Sequence, residues 1–133
     1  MTTVVDDETR RAALMRHFGY IGQANHPLSH ELYHDDAVLE FPQSGERFEG
    51  VDNFREWREQ YPADVEFRLR RIAGSGDVWV DEASIRYDGG PWMMGVGVHE
   101  FRGDRIARER IYVTEPWDAP EWRAPWRAAA PAD

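Results

Sequence analysis

Residues 31–57 read ELYHDDAVLEFPQSGERFEGVDNFREW, and the order of signals inside them decides the fold. A short helix is expected to end near Tyr33, followed by the acids Asp35 and Asp36 at a helix-to-strand turn and a strand over Ala37–Phe41. Pro42 to Gly50 is rich in turn formers and reads as a loop. A further helix starts at Val51, because Phe54, Trp57 and Tyr61 recur at the spacing of one helical face and Pro62 then stops it.

Upstream, a helix is expected from Asp7 to Ala24. Asp6, Asp7 and Glu8 suit its positive end, and Leu14, Met15, Phe18 and Ile21 form its apolar stripe. Downstream, strands are expected at Val65–Ile72, Val78–Tyr87, Trp92–Phe101 and Ile106–Val113, separated by GSGD, DGGP and RGD. Helices first and antiparallel strands afterwards imply an α+β domain with helices on one face of a curved sheet. That domain occupies 1–114. Residues 115–133, which include PWDAPEWRAPW, form an arm whose Trp117, Trp122 and Trp126 are expected to pack on the body, on a dimer partner or over a pocket mouth.

Composition narrows the function. The net charge of −9 and the lack of any basic block disfavour nucleic acid, whose phosphates need clustered positive charge. All 16 basic residues are arginine, so Schiff-base lysine chemistry is excluded, and zero cysteines exclude thiolate nucleophiles and disulfides. No apolar run approaches the roughly 20 residues of a membrane span, and MTTVVDDETRR does not look like a signal peptide, so a cytoplasmic protein is expected. No phosphate loop, serine elbow or dinucleotide fingerprint is present, and no cofactor is expected. His26, His30 and His34 are spaced four apart, but Pro27 interrupts them; they read as surface histidines and no metal site is expected.

Strand alternation separates the two faces of the sheet. Val65, Phe67 and Leu69 make one apolar register, and Trp79, Asp81, Ala83, Ile85 and Tyr87 another. In the last strand Ala107, Glu109, Ile111 and Val113 share a face, with Glu109 its single acid. Glu109 could instead sit at an edge paired with an arginine, and Asp81 at the rim. The strand before it reads either Gly95, Gly97, His99 and Phe101 inward, or Met94, Val96, Val98 and Glu100.

The order of elements, with Tyr33, Asp35, Asp36, Ala37, Val38, Glu40, Pro42, Phe48, Gly50 and Trp57 at matching places, resembles the SnoaL-like branch of the nuclear transport factor 2-like superfamily. That resemblance implies a cone-shaped, antiparallel or mixed sheet wrapped around three N-terminal helices. It also selects the inward register of His99, since the inward acid of ketosteroid isomerases falls at Gly97. Two inward glycines would then leave room for a ligand. The family's general base falls at Phe41 and its donor tyrosine near His17, with Tyr20 one turn away, so steroid isomerisation in the usual form is not expected. Epoxide hydrolase-like chemistry wants an arginine between two aspartates, and no arginine falls on a predicted inner face.

The expected site therefore takes Glu109, His99 and Asp81 as catalytic candidates. His17, Tyr20, Phe41, Trp57, Phe67, Trp79 and Ile111 are the candidates for contacting substrate. Desolvation is expected to raise the Glu109 pKa toward neutrality, with a protonated histidine pulling the other way. The expected ligand is a small apolar organic molecule, and the expected partner is a second copy docked through the outer sheet face. Two functions fit: acid–base isomerase, cyclase or hydrolase chemistry through Glu109 and His99, or a non-catalytic dimerisation module whose cavity its own side chains fill.

Overall fold

The computed structural model describes residues 4–131. Helix α1 (Asp7–Gly22) starts where Asp6 accepts a hydrogen bond from the Thr9 amide at 2.8 Å, with Asp7 and Glu8 in its first turn. Leu14, His17 and Phe18 turn inward, whereas Met15, expected in the apolar stripe, is exposed. A helix turns about 100° per residue, so Leu14 and Phe18 share a face and Met15 leaves it. Arg10 is buried and donates to the Gly103 and Gly76 carbonyls at 2.7 and 2.6 Å. It thereby ties the helix to both distal hairpin turns. A short helix α2 (His26–Ser29) and a single 3-10 turn (His30–Leu32) reverse the chain.

Strand β1 (Tyr33–Phe41) begins four residues earlier than expected, so Tyr33 is the first strand residue and not a helix end. The segment expected as a loop contains β2 (Glu46–Glu49), which pairs antiparallel with β1. Its four residues carry one apolar side chain, too little alternation to read as a strand; pairing with β1 orders it. Helix α3 (Val51–Glu59) follows Gly50, whose φ of 89° suits glycine alone among ordinary residues. The remaining strands are β3 (Val65–Ser75), β4 (Val78–Tyr87), β5 (Met93–Arg102) and β6 (Arg105–Thr114).

The sheet has the order β2-β1-β6-β5-β4-β3, antiparallel between β3, β4, β5 and β6 and parallel between β1 and β6. It curves around the helices, as the expected α+β architecture requires. Two register shifts matter for side-chain direction. One lies between Leu69 and Arg71 in β3, so Ile72 as well as Leu69 packs on the core. The other lies opposite Ala107, so Ile106 takes the fully buried place expected for Ala107. The core joins Leu14, Phe18, Tyr33, Leu39, Phe54, Trp79 and Ile106 between helices and sheet. No helix of the described residues is long and apolar enough to cross a membrane.

Gly74 carries the tightest backbone approach in the β3–β4 hairpin. A Cβ there would stand 2.6 Å from the Val78 carbonyl oxygen and 2.7 Å from the Trp79 Cα, at a φ of 157°. Both neighbours are backbone and cannot swing away. Gly74→Ala is therefore expected to lower stability by about 2–4 kcal/mol, read from urea unfolding. A change within 0.5 kcal/mol, the usual surface value, would contradict the approach.

The arm contains a 3-10 segment (Glu121–Trp126) held by its own hydrogen bonds, Arg123 N–H to Pro120 and Arg127 N–H to Ala124. Trp117, Trp122 and Trp126 are 79%, 72% and 79% exposed, so the expectation that they pack on the chain's own body is not met. Residues 1–3 and 132–133, at the ends of the expected domain and arm, lie outside the described residues.

Candidate functional site

Side chains from β1, β4, β5 and β6 converge under the helices. Asp81 stands opposite Gly97 in the β4–β5 ladder, and His99 opposite Glu109 in the β5–β6 ladder, so two antiparallel registers bring all three expected catalytic candidates to the concave face. Glu109 is 3% exposed, His99 2% and Asp81 5%. His99 lies between the two acids: its Nε2 is 2.6 Å from Asp81 Oδ1 and its Nδ1 is 2.6 Å from Glu109 Oε1. The second contact is close but off the line of a good hydrogen bond, so it acts chiefly as a charge pair.

Glu109 is held from two further sides. Tyr33 donates its hydroxyl to both carboxylate oxygens at 2.9 and 3.1 Å, and Arg58 from α3 reaches Oε2 at 3.5 Å. Arg58 also donates to His30 Nε2 at 3.1 Å. A guanidinium only donates, so His30 Nε2 is a bare acceptor, and its Nδ1–H must be what meets the His26 carbonyl at 2.7 Å. His30 is thus a neutral, buried link and not the surface histidine expected.

The electrostatics follow from burial against pairing. Burial would lower the His99 pKa, but Glu109 and Asp81 outweigh it and hold the imidazole up to about 9. Burial would raise Glu109, but His99, Arg58 and His17 outweigh it and keep the carboxyl far below its ordinary value. The expected rise toward neutrality does not occur, because three basic side chains face one acid. Asp81 behaves oppositely: burial raises it, and its bond to His99 only partly compensates. Both acids touch the same imidazolium; Glu109 is the firm counter-ion, and Asp81 is the weaker one. Burial pushes the Tyr33 hydroxyl up strongly, so it stays a donor. Burial holds His17 and His30 down to about 4.

A cleft of about 1070 Å³ opens beside this cluster. Among the expected contact residues, His17, Phe41, Trp57, Phe67 and Ile111 line it together with Asp81, His99 and Glu109. Trp79 and Tyr20 do not. Trp79 is buried in the core beyond the cluster, with its indole N–H on the Gly76 carbonyl. Tyr20 is half-buried and its carbonyl serves the end of α1. Alternation placed Trp79 on the correct face, but a face is longer than the cleft.

The inward glycines do not leave an empty floor. A Cβ at Gly97 would overlap Asp81 Oδ1 and come within 3.1 Å of His99 Nε2, while one at Gly95 would meet Ile85 Cδ1 at 2.9 Å. Those glycines make room for the neighbouring strand's side chains. Sequence reasoning missed Arg58 and the part played by Tyr33. Arg58 enters from α3, one residue after Trp57, and its guanidinium lies 5.4 Å from the Phe54 ring and 5.7 Å from the Trp57 ring. Strand alternation could not find it; the apolar face of α3 was the available signal.

The arrangement is a buried set of two acids and two cations, Asp81, Glu109, His99 and Arg58, whose one loosely held carboxyl borders an apolar cleft. Such a set can deliver or accept a proton at Asp81 while Glu109 keeps His99 charged. A family model described as "SnoaL-like domain" matches residues 10–109. An NTF-2 like protein of unknown function from Burkholderia xenovorans is 35% identical to the chain. That similarity covers 95% of this chain and 98% of that one at a TM-score of 0.87. A putative ketosteroid isomerase from Kribbella flavida is 21% identical over 95% and 93% of the two chains, TM-score 0.86. An LEH-like epoxide hydrolase of M. tuberculosis is 21% identical over 81% and 84%, TM-score 0.66. These two share the fold. No curated protein matches the chain.

Proposed function

Because the chain belongs to the SnoaL-like family, we propose that its cleft binds a small, largely apolar organic molecule and exchanges a proton with it. One observation carries the reading. Asp81 lies in the cleft wall with a raised pKa, hydrogen-bonded at 2.6 Å to an imidazolium that Glu109 holds charged. A carboxyl moved toward neutrality is suited to general acid–base work. The pairing differs from the acid–base couple expected from sequence: Glu109 is consumed by Tyr33, Arg58 and His99, so the exchanging group is Asp81, with His99 as its partner. Two fold neighbours carry the names of a putative ketosteroid isomerase and an LEH-like epoxide hydrolase, which agrees with this reading by analogy.

The experiment is loss of α-deuterium from 2-tetralone, an apolar enolisable ketone, followed by NMR. Wild-type protein is expected to accelerate exchange over buffer, and Asp81→Asn to lose about 100-fold or more of that acceleration. No acceleration by the wild type would leave the non-catalytic module as the surviving reading. Full activity in Asp81→Asn would remove Asp81 from the mechanism.

We also infer that a second copy covers the outer face of the sheet. Met94, Val96 and Tyr112 are exposed there side by side, Val96 directly opposite Tyr112 in the ladder. The three exposed tryptophans of the arm add apolar area that water opposes. Ending the chain after Thr114 is expected to raise the dimer dissociation constant by about 100-fold, since buried aromatic anchors dominate interfaces. Sedimentation analysis checks this, and an equally tight dimer without the arm would exclude the arm from the interface.

A further inference from the structure

Among the described residues, two cleft-lining side chains leave a buried polar atom with neither a hydrogen bond nor a charge partner: the Trp57 indole N–H, a donor, and His17 Nε2, the acceptor. The His17 ring is 2% exposed, packed edge-on against Phe18 at 5.2 Å and Tyr33 at 5.5 Å. Nδ1 lies 2.7 Å from the Ser29 carbonyl oxygen. A carbonyl only accepts, so Nδ1 carries the proton and Nε2 presents a lone pair. Burial keeps the ring from gaining a second proton near neutral pH. Nε2 has no hydrogen-bond partner among the described residues, although it lies within a side chain that forms the cleft wall. Glu109, His99 and His30 are each engaged, as described above, so none of them competes for a new donor.

We propose that His17 Nε2 is a specificity contact that accepts a hydrogen bond from a hydroxyl on the bound molecule. The ligand class is therefore an apolar skeleton bearing an O–H donor, such as an alcohol or the enol of a ketone, and not a hydrocarbon or ether. A buried acceptor left unpaired penalises any ligand that lacks the donor, which is how such sites discriminate. The polarity is the reverse of a tyrosine donor at this place, because an imidazole of fixed tautomer cannot donate from Nε2. This inference rests on the cleft being a ligand site.

The test uses three molecules of one skeleton: tetralin, 2-tetralol and 2-methoxytetralin. Calorimetric titration of the full chain is expected to show 2-tetralol bound about tenfold more tightly than 2-methoxytetralin. In His17→Phe the gap is expected to close to about twofold. A second readout needs no variant: the ¹⁵N resonance of His17 Nε2 in the wild type should move upfield with 2-tetralol and stay still with the ether. Binding of all three with equal affinity, or a stationary resonance on binding 2-tetralol, overturns the His17 assignment and leaves the cleft reading standing. Failure of all three to bind overturns both.

Discussion

Glu109→Gln is expected to lower folding stability by about 3–5 kcal/mol at neutral pH, because it leaves His99 and Arg58 buried without their shared counter-ion. The change keeps the shape of the side chain, so a cavity contributes nothing. Tyr33 would still donate to the amide oxygen, which isolates the charge as the cause.

The same group sets the pH dependence. Folded His99 keeps its proton to about pH 9, against an ordinary 6.5. Its contribution is complete below 6.5 and is lost as pH rises through 9, at about 1.4 kcal/mol per pH unit for one proton. Asp81, raised by burial, loses its own contribution over a lower window that begins above its ordinary 3.8. His17 and His30 act in the opposite sense. Their folded pKa of about 4 lies below 6.5, so stability present above 6.5 is lost as pH falls through 4. Glu109, held below its ordinary 4.5, adds to the acid loss. Wild-type stability should therefore peak near pH 6.5 and fall on both sides. Glu109→Gln should flatten the alkaline limb, because His99 loses its strongest reason to stay charged. Urea unfolding between pH 4 and 9 checks both statements. A flat wild-type profile, or an alkaline limb unchanged in the variant, would contradict the charge cluster.

Gly97→Ala is expected to abolish proton exchange about as thoroughly as Asp81→Asn, by about 100-fold or more, at a stability cost of only about 1–2 kcal/mol. The new methyl claims the place of Asp81 Oδ1 and crowds His99 Nε2. The carboxyl is the free end of a side chain and can rotate away, so the fold survives while the Asp81–His99 bond does not. Gly95→Ala is the control: it presses on the Ile85 methyl, remote from any proton in transit, and exchange should fall only a few-fold. Equal exchange in Gly97→Ala and wild type would mean that the position of Asp81 is immaterial.

The α+β order and the inward direction of Asp81 and Glu109 could be read from local signals in the chain, whereas the register of His99 stayed open until the family resemblance selected it. Helix faces repeat every three to four residues, strands every two, and turns announce themselves with glycine and proline. Trp57, Phe67 and Ile111 reached the cleft by the same rule. Where the periodicity was broken by pairing, the reading failed: β2 exists because β1 orders it, and the extra residue at Ala107 hands the core to Ile106.

The ionisation of the site belongs to tertiary structure alone. A lone acid on an apolar strand face predicts a raised pKa if nothing charged stands near it. Which charges stand near depends on α3 delivering Arg58 and on β5 delivering His99, across sequence separations of 51 and 10 residues. Desolvation and Coulomb attraction both act through space, and they oppose each other at Glu109. Local pattern determined that a carboxylate would be buried here; only the packed chain decided that Glu109 would be the fixed anion and Asp81 the labile one.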